Sequence, residues 1–155
     1  MRPQAHRVEY RLAVVKITLS GRAGEFGTVA DVLDRIAALG INLSAISSAT
    51  TADASWRLSI TVSSSDALAA LNAARSTAVG MEEPRLEEGF AWISLFSASM
   101  RSSPGYASAM FRALERDEIP VDMVVVSDAS IGCLIPETRV QDGLRALRRA
   151  FRLDR

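Results

Sequence analysis

The sequence of 155 residues contains one histidine and one cysteine, and its formal net charge is zero. Its eighteen basic side chains balance eighteen acidic ones, so no overall electric field draws the chain to nucleic acid or to an anionic membrane. His6 and Cys133, the one histidine and the one cysteine, are too few ligands for a zinc site and form no internal disulfide. A histidine-based catalytic triad would depend on His6 alone. These shortages argue against polyanion binding, a metal or other cofactor, and histidine-assisted catalysis.

Long hydrophobic runs are also missing. No apolar stretch reaches the roughly 20 residues of a membrane-spanning helix, and residues 1–6 lack the apolar core of a signal peptide. Cys133 lies in the apolar run 131–135, where a buried, inert thiol suits a reducing compartment. We therefore expect a cytoplasmic protein with no membrane partner. Its 48% hydrophobic content is enough for one ordinary core or for two small ones.

An internal repeat favours two small cores. The segment ITLS at residues 17–20 recurs as ISLF at residues 93–96, and Gly27 recurs as Gly105, 78 positions later. The spacing of 78 also relates Ile41 to Ile119, whereas the first pair is 76 apart; a two-residue insertion in the loop 97–104 accounts for the difference. We interpret the chain as a duplicated unit whose boundary lies at residues 80–89.

Hydrophobic periodicity assigns the elements of each unit. In the first unit, strands are expected at 14–20, 42–50, 56–62 and 85–88, and helices at 29–39 and 67–74. Thr28 is interpreted as the cap of the first helix and Gly40 as its stop, while Ser64 or Ser65 opens the second. In the second unit, strands are expected at 91–98, 121–127 and 130–135, and helices at 107–115 and 140–151.

This order predicts an α+β protein of two ferredoxin-like βαββαβ domains, with antiparallel sheets and helices on one face. The expected domains are residues 13–88 and 89–155. An N-terminal strand at 7–12 is a candidate to complete the second sheet. Such sheets leave free edges, which favours a homodimer.

Several motifs resemble a known family. Residues 94–95, the loop MRSSPG at 100–105, MFRAL at 110–114 and the pair Ser127-Asp128 are similar to the second ACT domain of aspartate kinases. Residues 16–19 through 40–43 resemble the first ACT domain of the same enzymes. The resemblance covers nearly the whole chain, but the family's kinase domain and its nucleotide signature are absent from this sequence.

The resemblance implies a non-catalytic, regulatory protein. Paired ACT domains in this family bind an amino acid and pass the signal to a kinase, and some members make the regulatory part as a separate small subunit. We therefore expect an amino acid or related small metabolite as ligand, bound at a domain interface, and a kinase-like partner protein. The family's Asp-x-Pro-Gly reads Gly24-Glu25-Phe26-Gly27 here, so the identity of the ligand does not transfer.

Backbone N–H groups at a helix N-terminus suit the carboxylate of an amino acid. The expected ligand-binding residues lie in and beside the two strand-to-helix loops and are Arg22, Glu25, Gly27, Thr28, Asn42, Ser99, Met100, Arg101, Ser102, Ser103, Gly105, Ser127 and Asp128. For the loop 99–105, a plain connector that starts a helix is an equal alternative. Asn42 and Asp128 are also ordinary turn residues.

Two other functions stay open. A small enzyme that has reused the ACT cleft would need titratable groups, and Glu25, Asp122 and Asp128 are the candidates. A structural subunit that stabilises a kinase-like partner would need no ligand at all.

Overall fold

The computed structural model describes residues 7–22, 26–78 and 81–153, and for residues 26 and 27 it describes the backbone alone. The strands are β1 (Arg7–Arg22), β2 (Ala45–Thr50), β3 (Ser55–Ser63), β4 (Arg85–Phe96), β5 (Met123–Val126) and β6 (Ser130–Pro136). The helices are α1 (Phe26–Ala38), α2 (Ala67–Thr77), α3 (Tyr106–Arg116) and α4 (Val140–Phe151), with a 3-10 turn at Glu137–Arg139 before α4. None of the helices in the described ranges is long and apolar enough to cross a membrane.

The chain divides into two compact units. One spans Ala13–Glu88, and the other combines the N-terminal segment up to Leu12 with the stretch from Gly89 onward. The chain therefore passes from one unit to the other inside β1 and again inside β4. At these two points Ala13 and Gly89 adopt positive φ angles of 53° and 82°. Glycine adopts this conformation freely, whereas alanine does so at a cost of roughly 1–2 kcal/mol.

The unit Ala13–Glu88 has the strand order β2-β3-β1-β4. β3 pairs antiparallel with both of its neighbours, so that Ile60 lies opposite Ile17 of β1 and Ile46 of β2. The alternation in β1 turns Ile17 and Leu19 toward α1 and α2, and both side chains are fully buried there. One face of the sheet thus forms the core with the two helices, as the period-2 pattern predicts.

The other unit has the order β1-β4-β6-β5. β6 pairs antiparallel with β4 and β5, and Ile93 lies opposite Cys133. The core beneath α3 and α4 includes Leu114 and Leu147, and Val8 of β1 packs against it. The Arg7 guanidinium lies 4.3 Å from the centre of the Phe96 ring. The described N-terminal segment therefore contributes directly to this unit.

Several predicted boundaries are wrong. The helix α1 begins at Phe26, so Thr28 lies inside its first turn and is not its cap. The helix α2 begins at Ala67 with Asp66, rather than Ser64 or Ser65, at the cap position.

Three strand predictions also need correction. β2 begins only at Ala45, because the chain leaving α1 makes an Ile41 N–H to Ile36 carbonyl bond and delays the sheet. The strands predicted at 85–88 and 91–98 form one continuous strand, since Gly89 bends the backbone without interrupting it. β5 is shorter than predicted at both ends.

Gly132 in β6 is required by a neighbouring aromatic ring. A Cβ atom at this position would lie 2.3 Å from Cζ2 of Trp92, well inside van der Waals contact. Trp92 is buried at 8% exposure, so its rigid indole has little freedom to move away. The absence of a side chain at residue 132 is therefore a packing requirement and not a turn requirement.

We expect Gly132→Ala to lower the free energy of unfolding by about 1–3 kcal/mol, because overpacking forces the indole or the strand to shift. Urea denaturation followed by circular dichroism measures it. In a Trp92→Leu background the same change should cost less than about 1 kcal/mol, since the clash is gone. An equal cost in both backgrounds would show that the ring is not the cause.

Candidate functional site

The predicted site of the first unit is only partly assembled by the described residues. Arg22 is the exposed last residue of β1, and the Trp56 indole N–H donates a 2.9 Å hydrogen bond to its carbonyl oxygen. Thr28 is half-buried within α1, and Gly27 lies in the same helical turn. Asn42 is exposed before β2. Glu25 lies outside the described residues.

Arg22 lines a small pocket that the sequence did not predict. The pocket has a volume of about 350 Å³ and is completed by Asp53, Ala54 and Ser55 from the turn between β2 and β3. Arg22 and Asp53 are the two charged residues among those that line it. A free amino acid carries the opposite pair of charges, a carboxylate and an ammonium group.

Asp53 is held ionised by its own turn. The Thr51 hydroxyl donates to Oδ1 of Asp53, and the Ser55 hydroxyl donates to the same oxygen at 2.8 Å. These bonds, that from Thr51 foremost, lower the pKa of Asp53 to about 2. The hydrogen bonds of the turn therefore extend the charged state of the carboxylate to lower pH.

The segment Thr51-x-Asp53-x-Ser55 places two hydroxyl side chains at two-residue spacing around an aspartate, and this spacing is a sequence signal of a hydrogen-bonded carboxylate. What no local pattern shows is that the turn folds back beside Arg22, which is 31 positions earlier in the sequence. Asp53 was not among the predicted site residues for that reason.

The loop of the second unit uses its polar groups internally. Ser97 is 1% exposed and shares a 2.9 Å hydrogen bond with the Tyr106 hydroxyl, tying the end of β4 to the start of α3. The Ser99 N–H donates to the Ser97 hydroxyl, and the N–H groups of Ser102 and Ser103 both donate to the Ser99 carbonyl. These donors are not directed toward an outside anion.

The remaining predicted residues of this unit also have local roles. The Met100 N–H donates to the Ser97 carbonyl, and its side chain packs against the core. Ser127 accepts hydrogen bonds from the backbone N–H groups of Ala129 and Ser130, which closes the β5–β6 turn. Gly105 precedes α3 with φ 104°, a conformation that favours glycine. This arrangement favours the connector interpretation of the loop.

Arg101 and Asp128 are the two predicted residues that approach across this loop. Arg101 Nη1 lies 3.9 Å from Asp128 Oδ2, with 81% and 80% of their side chains exposed. An ion pair so exposed contributes at most about 1 kcal/mol. The pair brings two elements near each other but builds no enclosed site.

The observations that bear on the enzyme alternative concern metal ligands, Cys133 and Asp122. No group of three or more histidine, cysteine, aspartate or glutamate side chains within the described ranges is placed to hold a metal ion. Burial raises the pKa of the Cys133 thiol to about 12, which leaves it protonated and unreactive. The Asp122 backbone N–H donates to the Leu134 carbonyl oxygen, directly before β5.

Comparison with known proteins agrees with the predicted resemblance. Residues 93–151 match the family model described as an ACT domain. The aspartokinase of Pseudomonas aeruginosa is 30% identical over 141 residues, which are 90% of this chain and 34% of that enzyme. The aspartokinase of Helicobacter pylori is 24% identical over 139 residues, again 34% of its length.

Solved structures match over nearly the full chain. The regulatory subunit of aspartate kinase from Thermus thermophilus, in its ligand-free form, superposes with a TM-score of 0.87 at 25% identity and covers 96% of this chain and 99% of its own. The regulatory subunit from Thermus flavus gives a TM-score of 0.84 at 25% identity with the same coverage.

These matches show that the chain resembles regulatory proteins built from ACT domains. Within that class it is similar, along nearly its whole length, to the regulatory part of the aspartokinases, and the resemblance predicted from the sequence is confirmed. The chain spans about a third of the length of the curated aspartokinases that it matches. Their catalytic part is not included in the match.

The state of Asp53 can be tested directly. Replacing Thr51 with valine and Ser55 with alanine removes the hydroxyl donors, so the pKa of Asp53 should rise from about 2 toward its ordinary value of 3.8. Carboxyl-carbon NMR titration measures it. Ser64→Ala with Ser65→Ala is the matched control and should leave the titration of Asp53 unchanged. An Asp53 that titrates near 3.8 in the unmodified protein would contradict the assignment.

Proposed function

We propose that this chain is a non-catalytic regulatory protein that senses an amino acid or a related small metabolite. The observation that carries the proposal is the full-length match to regulatory subunits of aspartate kinase, which have almost the same extent as this chain. The proposal assigns no chemical step to the chain. It also agrees with the burial and raised pKa of Cys133.

The proposed ligand position is the Arg22–Asp53 pocket. Arg22 would pair with the ligand carboxylate, since a guanidinium binds carboxylates through two parallel hydrogen bonds. Asp53 would accept hydrogen bonds from the ligand ammonium group through its ionised carboxylate. A volume of about 350 Å³ lies at the small end of the range of ligand pockets, which suits a single amino acid.

The proposed output is a shift between two states of a kinase-like partner. A ligand moves such an equilibrium only by its difference in affinity for the two states. Pairing of the chain as a homodimer is part of this proposal. β2 and β5 lie at the edges of their sheets and expose Ile46 at 45% and Val126 at 61%, which is where strand-edge pairing would bury apolar surface. The cytoplasm is the proposed location.

Thermal-shift measurement against free amino acids and related metabolites tests the sensing function. A ligand at 100 times its Kd should add about 2.7 kcal/mol to the stability of the native state, and for a chain of this size raise the Tm by roughly 5–10 °C. Arg22→Gln and Asp53→Asn should each abolish most of the shift. Arg85→Gln and Glu88→Gln, exposed charges of the same unit outside the pocket, are the matched controls.

Two results would separate the alternatives. A shift that survives Arg22→Gln and Asp53→Asn would keep the sensing function but move the ligand elsewhere. A folded protein that responds to no ligand, yet co-purifies with a kinase, would leave the structural-subunit function in its place.

A further inference from the structure

The groove between α3 and α4 is lined by arginines and alanines. It has a volume of about 650 Å³, and the charged residues that line it are Arg112, Arg116, Arg149, Arg152 and Glu115. All five are exposed. The formal net charge of the chain is zero, so the excess of cations is a local property of this groove and not of the whole protein.

Most of this positive charge is not neutralised by the chain. Arg149 is paired, with Nη2 2.8 Å from Oδ1 of Asp117. Within the described ranges, the guanidinium groups of Arg112, Arg116 and Arg152 have no hydrogen-bond or ion-pair partner. Each keeps its five N–H donors for an anionic group from outside the chain.

The fold does not require these arginines. The equivalent groove of the other unit lies between α1 and α2, and the charged residues that line it are Asp31, Asp34 and Arg35. At the spacing of 78 that relates the two copies, Arg112 corresponds to Asp34 and Arg116 to Ala38. Both units nevertheless bury the same kind of core beneath their helices. The cationic groove is therefore specific to one copy of the repeat.

Arg152 adds its charge in a backbone conformation that arginine does not favour. It follows α4 with φ 57° and ψ 48°, in the left-handed region. This position after a helix is most often occupied by glycine, which avoids the clash between Cβ and the backbone. The N–H groups of Arg152 and Leu153 both donate to the Arg148 carbonyl, and glycine would make the same turn without strain. The side chain at residue 152 is thus present at a cost to stability.

The floor of the groove is apolar and made of small side chains. Ala113 and Ala146 are buried at 8% and 0% exposure, and Ala109 and Ala150 line the groove nearer to solvent. Packed helices approach to about 8–10 Å, and the shorter distances need small side chains at the contact. A small anion would leave this floor uncovered. A helix with short apolar side chains on one face and acidic ones beside them would contact both the floor and the arginines.

Hydrogen bonds fix the two sides of the groove relative to each other. Arg139, directly before α4, donates bonds of 2.9 Å and 3.1 Å to the carbonyl oxygens of Asp117 and Glu118 at the end of α3. The pair between Arg149 and Asp117 links the same two helices. Binding in the groove therefore does not have to order the helices first, which lowers the free-energy cost of association.

We propose that the α3–α4 groove binds an acidic amphipathic helix of a partner protein. Short apolar side chains of the partner cover the alanine floor, and its carboxylates pair with Arg112, Arg116 and Arg152. Each exposed ion pair contributes little, so the contact is weak and sensitive to salt. It goes beyond the proposed sensing function, because it is separate from the Arg22–Asp53 pocket and needs no amino acid.

Fluorescence anisotropy with the full chain tests the charge of the groove. The probe is a labelled, stapled peptide of about 18 residues, long enough for a helix, with alanine along one face and glutamate on both flanks. At about 0.02 M salt, Arg112→Gln with Arg116→Gln should weaken binding roughly 5–30-fold, the combined effect of two exposed charge pairs. Arg145→Gln with Arg148→Gln removes the same charge from α4 outside the groove. This matched control should change binding by less than about twofold.

Two further variants test the shape of the site. Ala150→Phe places a large ring at an exposed position of the groove and should abolish binding of the helical peptide. Arg152→Gly should weaken binding about 2–5-fold without lowering the Tm, because glycine relieves the strained backbone. Circular dichroism verifies that each variant is folded.

Specificity for a helix is measured with two other anions. A peptide of the same composition, with its alanines scattered around the helix, should bind at least about fivefold more weakly, and inorganic tripolyphosphate should not displace the original peptide at equal charge. Three results would overturn the proposal: no binding of the helical peptide at low salt, binding that survives Arg112→Gln with Arg116→Gln, or equally tight binding of either other anion. Amino-acid sensing is measured separately, by a thermal shift through Arg22 and Asp53, so either proposal can fail alone.

Discussion

Both units depend on burying one face of an antiparallel sheet beneath two helices. In the unit Ala13–Glu88, Ile17, Leu19 and Ile60 meet Val32 and Ile36 of α1 in a continuous apolar cluster. A fully buried aliphatic side chain of this kind contributes about 1.5–3 kcal/mol relative to its exposed state. The other features depend on this layer. The turn at Asp53 connects β2 and β3, and the charged faces of the helices are the faces that do not pack against the sheet.

Because only one face of each sheet and helix is buried, the residues that stabilise the fold differ from those that are exposed to solvent and available for function. Charges at Asp34 and Arg112 differ between the units although the buried residues beneath them serve the same purpose, so outer surfaces were free to diverge. The polar turns show the same division. In the loop after β4, the backbone N–H groups donate to oxygen atoms of Ser97 and Ser99. In the turn after β2, hydroxyl groups donate to the carboxylate of the exposed Asp53. The two copies of one fold thus present different chemistry to the solvent.

Sequence periodicity predicted the elements well where one face is buried and the other is wet. α4 occupies the predicted residues 140–151, because its apolar residues recur at three- and four-residue intervals and its charged residues lie on the opposite face. The strands predicted separately at 7–12 and 14–20 are parts of one continuous strand, β1, with Ala13 at a positive φ between them. The Arg22–Asp53 pocket was not predicted, because it depends on a turn and a strand end that meet only through the register of β1 and β3.

The exchange of strand segments between the units has a consequence for biosynthesis. The segment up to Leu12 is synthesised before residues 13–88, yet the unit to which it belongs is completed only after Gly89 and the residues beyond it have been made. Residues 13–88 can collapse in the meantime, while Tyr10 and Leu12, at 50% and 46% exposure even in the finished protein, remain without the rest of their unit. Cleavage at the repeat boundary would therefore leave the first fragment with a strand segment of the other unit, and the second fragment without that segment. A circular permutant that moves this segment behind α4 would place each unit in one continuous stretch of sequence.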